Sequence, residues 1–488
     1  MLQERPSSAP AGSLRELLAI AIPLVLSSGS LTLMHVVDRM FLTWYSRDAL
    51  AAAMPSGLTY WLMLSIPLGT ASYVNSFVAQ YEGAGRRDRV GRAVWQGVYF
   101  SLAIGVLGTL AAFASGPIFR MIGHAPSVQQ MEIEYFAILS LGTIPALIAA
   151  TLACFYSGRG KTMVIMWVNL AGSLINIGLD WPFIFGAGPI PAGGIRGAAI
   201  ATVISQFAMV FLYIVLLMRS AEAREYGLWR EWGLDRELFG RLLRYGLPNG
   251  FHMFSDVFCF SLFILLVGTI SEEVLAATNL AFNLNTLAFL PMLGLSTAVM
   301  TLVGTRIGEG KPEIAVQTTW MAFSLSAAYM GCFALVYLFL PDLILAPYAM
   351  YSNEAEFASM RGVVVELLRF VAIYSLFDAM AIIFSGAIRG AGDTRFSLLF
   401  TMFSGWLLMV IPTFVGFRYF SMGVSWAWSM CTLYVMVLGV GFWIRFQRGR
   451  WKSMKIIESQ AAPAAAAVPL LNAESAGSPA IAEVEPAG

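Results

Sequence analysis

Charged residues are scarce in this chain: Asp, Glu, Lys and Arg make up 12% of its 488 residues, against roughly 25% in soluble globular proteins. With 58% of the chain hydrophobic, a water-soluble fold is excluded as a reading. Histidine is nearly missing, with only His35, His124 and His252, and Cys154, Cys259, Cys332 and Cys431 stand singly in apolar stretches. They offer neither metal-ligand spacing nor a disulfide framework, so they read as small core residues. His35 and His252, inside apolar runs, read as packed polar side chains. No HExxH, nucleophile elbow or paired catalytic motif occurs, which argues against an enzyme. The Gly-Lys-Thr at 160–162 lacks the glycine a phosphate loop needs five residues earlier, where Phe155 stands, and no soluble segment is long enough to house an ATPase. A net charge of +1 gives no pointer to nucleic acid, and no cofactor is expected.

What fills the chain is a series of apolar runs, each at least the ~20 residues a helix needs to cross hydrocarbon. They lie near 14–42, 50–79, 90–114, 131–157, 162–186 and 193–219, then 240–270, 275–303, 314–340, 361–389, 394–417 and 421–447. Barrel strands would read as short alternating segments, so the expected class is an all-α membrane protein of twelve transmembrane helices. The first run follows a polar leader, residues 1–13, and is longer than a signal-peptide core, so it is read as a retained span. The most polar internal stretch, Arg219 to Arg244, divides a first six-helix lobe, 14–219, from a second, 240–447, with 220–239 as a cytoplasmic linker. The Ala/Pro-rich end, 448–488, is expected to be a disordered cytoplasmic tail.

Basic residues sort sharply when these runs are threaded back and forth. One side collects Arg5, Arg15, Arg86, Arg87, Arg89, Arg92, Arg159, Lys161, the arginines from Arg219 to Arg244, Arg306, Lys311, Arg389, Arg395 and the cluster from Arg445 to Lys455. The other side holds Arg47, Arg120, Arg196, Arg361, Arg369 and Arg418, with Arg39 read as snorkelling toward that interface. Short cytoplasmic loops retain Lys and Arg, so both termini are expected in the cytoplasm and the protein in the plasma (inner) membrane.

The two lobes also repeat one another. LLAIAIP ending at Pro23 resembles LLRYGLP ending at Pro248, and GAGRRDRVGRAVW from Gly83 resembles GEGKPEIAVQTTW from Gly308. Both pairs, and Gly69 with Gly294, share an offset of 225 residues; GRGKT around Thr162 matches GAGDT around Thr394 at a slightly larger one. Six spans per copy is an even number, so the copies run in the same sense, related by an axis along the membrane normal. Transporters built this way place substrate and ion sites near the midplane between repeats.

Acidic residues inside a bilayer cost roughly 2.5–3.5 kcal/mol near a helix centre, which makes Asp38, Asp180, Asp256 and Asp378 functional candidates. Asn176 with Asp180, and Tyr374 with Asp378, are spaced i, i+4 and share a helix face. Each pair offers converging oxygens, suited to Na⁺ or to a carboxyl exchanging a proton; spacing alone does not choose between them. Asp38 lies fifteen residues beyond Pro23 but Asp256 only eight beyond Pro248, so on equivalent helices they differ by roughly 10 Å in depth. Pro23, Pro67, Pro145, Pro182, Pro248, Pro291 and Pro412 mark expected kinks.

These segments together resemble the multidrug and toxic compound extrusion (MATE) family, from about Leu14 to Phe446. The resemblance is carried by IPLVLSSGSLTLMHVVDRMFL with Asp38, the Gly83 to Arg92 loop, NIGLDWPFIFG with Asn176 and Asp180, GIRGAAIATVISQ with Thr202, YGLPNGFHMFSD with Asp256, and YSLFDAMAIIFSGAIRGAGDT with Tyr374 and Asp378. It implies a V-shaped pair of six-helix bundles, acting as a monomer, that exports cationic or amphipathic organic compounds in exchange for Na⁺ or H⁺. By the same resemblance Asp38, Asn176, Asp180 and Thr202 form a polar ion-binding cluster in the first lobe. Asp256, Tyr374 and Asp378 match the cation site of the NorM-type branch, where the first position is commonly Glu. Na⁺ is then expected at Asp38, Asn176, Asp180, Asp256 and Asp378. The alternative is a flippase for a lipid-linked saccharide, which would favour a cationic cavity over these acidic groups.

Overall fold

The computed structural model describes residues 10–349 and 354–458. The described residues form helices and turns with no strand. Eleven helices are long and apolar enough to cross a membrane singly, and a pair bent by 43° makes the twelfth. We number the spans α1 (Leu14–Tyr45), α2 (Arg47–Gly83), α3 (Arg87–Ile122), α4 (Pro126–Leu141 with Thr143–Ser157), α5 (Thr162–Phe185) and α6 (Ile195–Arg219). The second set is α7 (Arg236–Gly268), α8 (Glu272–Gly308), α9 (Pro312–Phe339), α10 (Glu354–Ala391), α11 (Thr394–Phe420) and α12 (Val424–Gln447).

The repeat expected from sequence is reproduced in the packing. In the first half α1 packs on α5 and α4 on α2; in the second α7 packs on α11 and α10 on α8. Between halves the pairing is reciprocal, with α1 on α8 and α7 on α2. Two-thirds of the apolar window of α8 is buried against 22% for α6 and for α9, so α8 is central and α6 and α9 face outward.

The helices α1, α7 and α8 each run unbroken through Pro23, Pro248 and Pro291. The 43° bend falls at Gly142, because Pro145 has no N–H for the Leu141 carbonyl and its ring crowds that turn.

The halves are joined at one end. Glu16 pairs with Arg306, Asn75 Nδ2 donates to Thr301 Oγ1 at 2.9 Å, and Gln80 Nε2 donates to the Gly390 and Ala391 carbonyls at 3.1 and 3.3 Å. The Tyr73 hydroxyl donates to the Arg389 carbonyl at 2.8 Å, and Asn249 Nδ2 to that of Gly69 at 2.8 Å. All these residues lie between mid-span and the face that carries the basic loops. Among the described residues no hydrogen bond or ion pair ties the halves together toward the opposite face.

Glycine makes this seam close. A Cβ on Gly83 would stand 2.0 Å from the Thr305 carbonyl oxygen, and one on Gly308 2.2 Å from that of Gln80. These two are partners in the sequence repeat, and each supplies the gap into which the other half's backbone fits.

Segments expected as linker and tail are partly folded. The stretch after α6 is fastened to α3, with Trp95 Nε1 donating to the Leu228 carbonyl at 2.6 Å and an ion pair between Arg92 and Glu231. Glu222 sits between Arg159 and Lys161; burial works to raise its pKa, but their hydrogen bonds and charges hold it below the ordinary glutamate value. Beyond α12, Trp451 is buried and stacks on Phe446 at 4.9 Å, and the Ile456 N–H donates to Gln80 Oε1 at 3.0 Å. The start of the expected tail is therefore packed. An aromatic ring and an isoleucine there outweigh the Ala/Pro-rich composition that suggested disorder, while residues from 459 onward, and the leader before residue 10, lie outside the described residues.

Gly83→Val or Gly308→Val should force the backbones of α2 and α8 apart, an overpacking cost of about 1–3 kcal/mol. The thermal midpoint of the detergent-purified protein is expected to fall for both. Gly57→Ala, where nothing lies within 4 Å, should leave it unchanged.

Candidate functional site

The first-half cluster draws on three helices. Asp38 comes from α1, Asn176 and Asp180 from successive turns of one face of α5, and Thr202 from the second turn of α6. Asp38 and Asp180 are 7% and 0% exposed, and their charges interact. The Asn176 amide lies 3.4 Å from the Thr202 hydroxyl. Turned with its nitrogen toward the carboxylate it donates to Asp180 Oδ2 at 3.2 Å, the orientation that pairs both of its ends. Asp38 Oδ1 and Asp180 Oδ1 are each buried with no hydrogen-bond partner. Two enclosed carboxylates with an unsatisfied oxygen apiece and neutral amide and hydroxyl oxygens beside them form a hard-donor set, fitted to a small cation or to shared protons. Among the described residues no group of three His, Cys, Asp or Glu side chains exists that could hold a metal ion more tightly.

The second-half cluster is built differently. Asp256 on α7 and Asp378 on α10 face one another electrostatically, and Tyr374, one turn before Asp378, is buried with its hydroxyl 3.5 Å from Asn285 Nδ2 on α8. Tyr434 on α12 reaches the same place: its charge environment includes both Asp256 and Asp378, and its buried hydroxyl has no hydrogen-bond partner. Asp256 keeps 40% of its side chain open. This pair therefore borders accessible space, where the first-half pair is sealed.

All seven residues expected from sequence thus fall into two groups, one per half, and the groups are not copies. At the 225-residue offset Asp38 corresponds to Phe263 and Asp256 to Leu31. The duplication preserved the helix packing while the polar chemistry shifted: Asp256 lies at a different depth on α7, the counterpart of α1, and Asp378 lies on α10, the counterpart of α4 rather than of α5.

Several contributors escaped the sequence reading. Tyr135 of α4 is buried close to both Asp38 and Asp180, but one tyrosine among 17 carries no signal by itself. Asn285 and Tyr434 were hidden in the same way. His252, read as mere packing, stands with Nδ1 3.5 Å from Asp256 Oδ2, one helical turn away. Arg389, assigned to a basic loop, turns its guanidinium inward, where Nη1 donates to Asn249 Oδ1 at 3.2 Å. Sequence places it at a helix end, and only its hydrogen bond to Asn249 of α7 shows which way it points. Arg39 is exposed, as expected of a snorkelling side chain.

With this geometry in place, comparison with known proteins is informative. The MatE family model matches residues 23–181 and 248–415, one stretch in each half. "Multidrug resistance protein PmpM" of Pseudomonas aeruginosa is 29% identical over 396 residues, covering 80% of this chain and 82% of that one. "Probable multidrug resistance protein NorM" of Thermotoga maritima is 24% identical over 449 residues, covering 91% and 94%. Among solved structures, an outward-facing multidrug resistance MATE family transporter of the MOP superfamily superposes with a TM-score of 0.80 at 21% identity, covering 91% of this chain and 96% of that one. A MOP superfamily transporter from Pyrococcus furiosus gives the same score and identity over 93% and 98%.

A bound cation stabilises a folded protein by about 2.7 kcal/mol at a hundred times its Kd. Purified protein should gain thermal stability on adding Na⁺ or on acidification, whichever ion the clusters take. Asp38→Asn and Asp180→Asn should each lose most of that gain, and Tyr135→Phe part of it; an undiminished gain in both aspartate variants would remove the first-half cluster as a cation site.

Proposed function

The chain belongs to the MatE family of multidrug efflux transporters, and from that membership we propose that it is a secondary antiporter exporting cationic or amphipathic organic compounds in exchange for Na⁺ or H⁺. The observation that carries the reading is the enclosure of Asp38 and Asp180, each with a buried oxygen lacking a partner, inside membrane-spanning helices. Such a placement is costly without a cation or proton to neutralise it, and a site that must be neutralised is a site that can be loaded and unloaded. The open Asp256 and Asp378 pair is the second station, facing the space a substrate enters.

In this reading the basic face is cytoplasmic, the protein lies in the inner membrane as a monomer, and it uses no cofactor beyond the coupling ion. The hydrogen-bonded seam then closes the cytoplasmic side, leaving the halves free to part outward. Cation loading displaces substrate and favours the opposite state; a ligand shifts such an equilibrium only by binding the two states unequally. Each net inward charge contributes about 2.3 kcal/mol per 100 mV, enough to concentrate a neutral substrate several tens of fold outside; a singly charged cation exchanged one for one moves no net charge and draws on the ion's concentration gradient alone.

Proteoliposomes loaded with a cationic dye, with Na⁺ and pH gradients imposed separately, test this directly. Dye movement against its gradient is expected with one of the two, and Asp38→Asn should reduce it at least tenfold with normal insertion. Translocation of a lipid-linked diphosphate with no dye transport would replace this reading with that of a flippase.

A further inference from the structure

The stretch between α6 and α7 is laid along α3. The Gly91 N–H donates to the Tyr226 carbonyl at 3.2 Å, and a Cβ on Gly91 would stand 2.5 Å from that oxygen. Farther along α3, Trp95 Nε1 donates to the Leu228 carbonyl at 2.6 Å, Gln96 Nε2 to that of Gly233 at 3.2 Å and the Tyr99 hydroxyl to that of Trp232. Tyr99 stands twelve residues beyond Arg87, the first of α3, or about 18 Å along the axis. Water is scarce beside a span at that depth, and side chains of α3 take its place for three carbonyls of an irregular stretch.

Charge on this stretch is sorted by side. All four of its carboxylates are turned to basic residues of the first half: Glu222 to Arg159 and Lys161, Glu225 to Arg87, Glu231 to Arg92, and Asp235 to Arg89 at 3.3 Å. Arg224 and Arg230 are exposed and have no carboxylate partner among the described residues. With Met218 and Trp229 they line a pocket of about 490 Å³. Trp229 and Trp232 are 43% and 64% exposed. Such rings are costly in water but favoured at a membrane–water boundary, where the body meets acyl chains and the N–H meets headgroups.

The pocket also continues an apolar surface. Phe207, Phe211, Ile214 and Met218 follow at i, i+4, i+7 and i+11 along one face of α6, all exposed, on a span with only 22% of its apolar window buried. An acyl chain lying on this stripe brings its headgroup beside Arg224 and Arg230.

We propose that the pocket is a binding site for an acidic phospholipid of the leaflet on the basic face. The Arg224 and Arg230 guanidinium groups hold its phosphate, Trp229 covers its glycerol region, and one acyl chain lies on the α6 stripe. Arginines without partners beside interfacial rings suit an anion whose other end is apolar, whereas a soluble anion would leave the rings and the stripe uncovered. Met218 is sixteen residues from Thr202, about 24 Å along α6, so the site is separate from the first-half cluster and stands whatever the protein transports.

The test uses the full chain, purified in detergent and in nanodiscs. Native mass spectrometry with phosphatidylglycerol or phosphatidylcholine titrated in should show one phosphatidylglycerol bound more tightly than any phosphatidylcholine. Arg224→Gln with Arg230→Gln should weaken that binding about tenfold, since each arginine near a headgroup contributes several-fold; phosphatidylcholine binding and the thermal midpoint should not change. Arg448→Gln with Arg450→Gln, an exposed pair elsewhere on the basic face, should leave binding as it is. In nanodiscs, phosphatidylglycerol with brominated acyl chains should quench tryptophan fluorescence more than brominated phosphatidylcholine does, and Trp229→Phe with Trp232→Phe should abolish the difference. Undiminished phosphatidylglycerol binding after both Arg224 and Arg230 are replaced overturns the proposal. So does an equal loss in the Arg448 and Arg450 variant, which marks a diffuse basic surface and no site. Displacement of the lipid by an equal concentration of glycerol phosphate or of an oligoglutamate peptide overturns it too, because the pocket would then take a soluble anion.

Discussion

A carboxyl group is costly against lipid, and this protein carries four aspartates within its membrane-spanning helices. Much of the architecture follows from keeping Asp38, Asp180, Asp256 and Asp378 among other helices. α1, α4, α5 and α6 surround the first two with an amide, a hydroxyl and a phenol, and α7, α8, α10 and α12 do the same for the others with two phenols, an amide and an imidazole. Enclosure is incomplete in both clusters in a specific sense: oxygens remain without donors, so full satisfaction requires a particle the chain does not itself provide.

The second constraint is the seam. In the proposed transport cycle the two bundles separate and rejoin, which a large interdigitated core would oppose, because such packing has one arrangement only. Here glycines at 69, 83, 250, 294 and 308 bring backbone against backbone, and a few buried polar contacts, Asn75 with Thr301 and Gln80 with Gly390 and Ala391, set the register. Contacts of that kind are specific yet few. The reciprocity of Gly83 and Gly308 is the sequence repeat expressed as geometry, each glycine making room for the other half.

Against this symmetric frame the chemistry is asymmetric. Asp38 and Asp180 are sealed, whereas Asp256 stays partly open, and neither cluster has its counterpart at the equivalent positions of the other half. A sealed site and an open one, carried on two bundles that share a single contact surface, give two places at which charge can act on one equilibrium.

The membrane class, the twelve spans, the duplication and the four aspartates were all decided by sequence, because hydrocarbon imposes a length and a composition on every crossing and makes each acidic residue conspicuous. The relationship between neighbours on one helix, Asn176 with Asp180 and Tyr374 with Asp378, was equally legible from the period of the helix. What sequence left open was every relationship between helices. Tyr135 beside Asp38, His252 as a partner of Asp256, Tyr434 between two carboxylates and the inward turn of Arg389 depend on how each helix is rotated about its own axis, which packing sets and hydropathy does not record. The folded start of the tail belongs to the same class: Trp451 and Ile456 look unremarkable in an Ala/Pro-rich stretch, and only the gap beside Phe446 and Gln80 gives them a place to be buried.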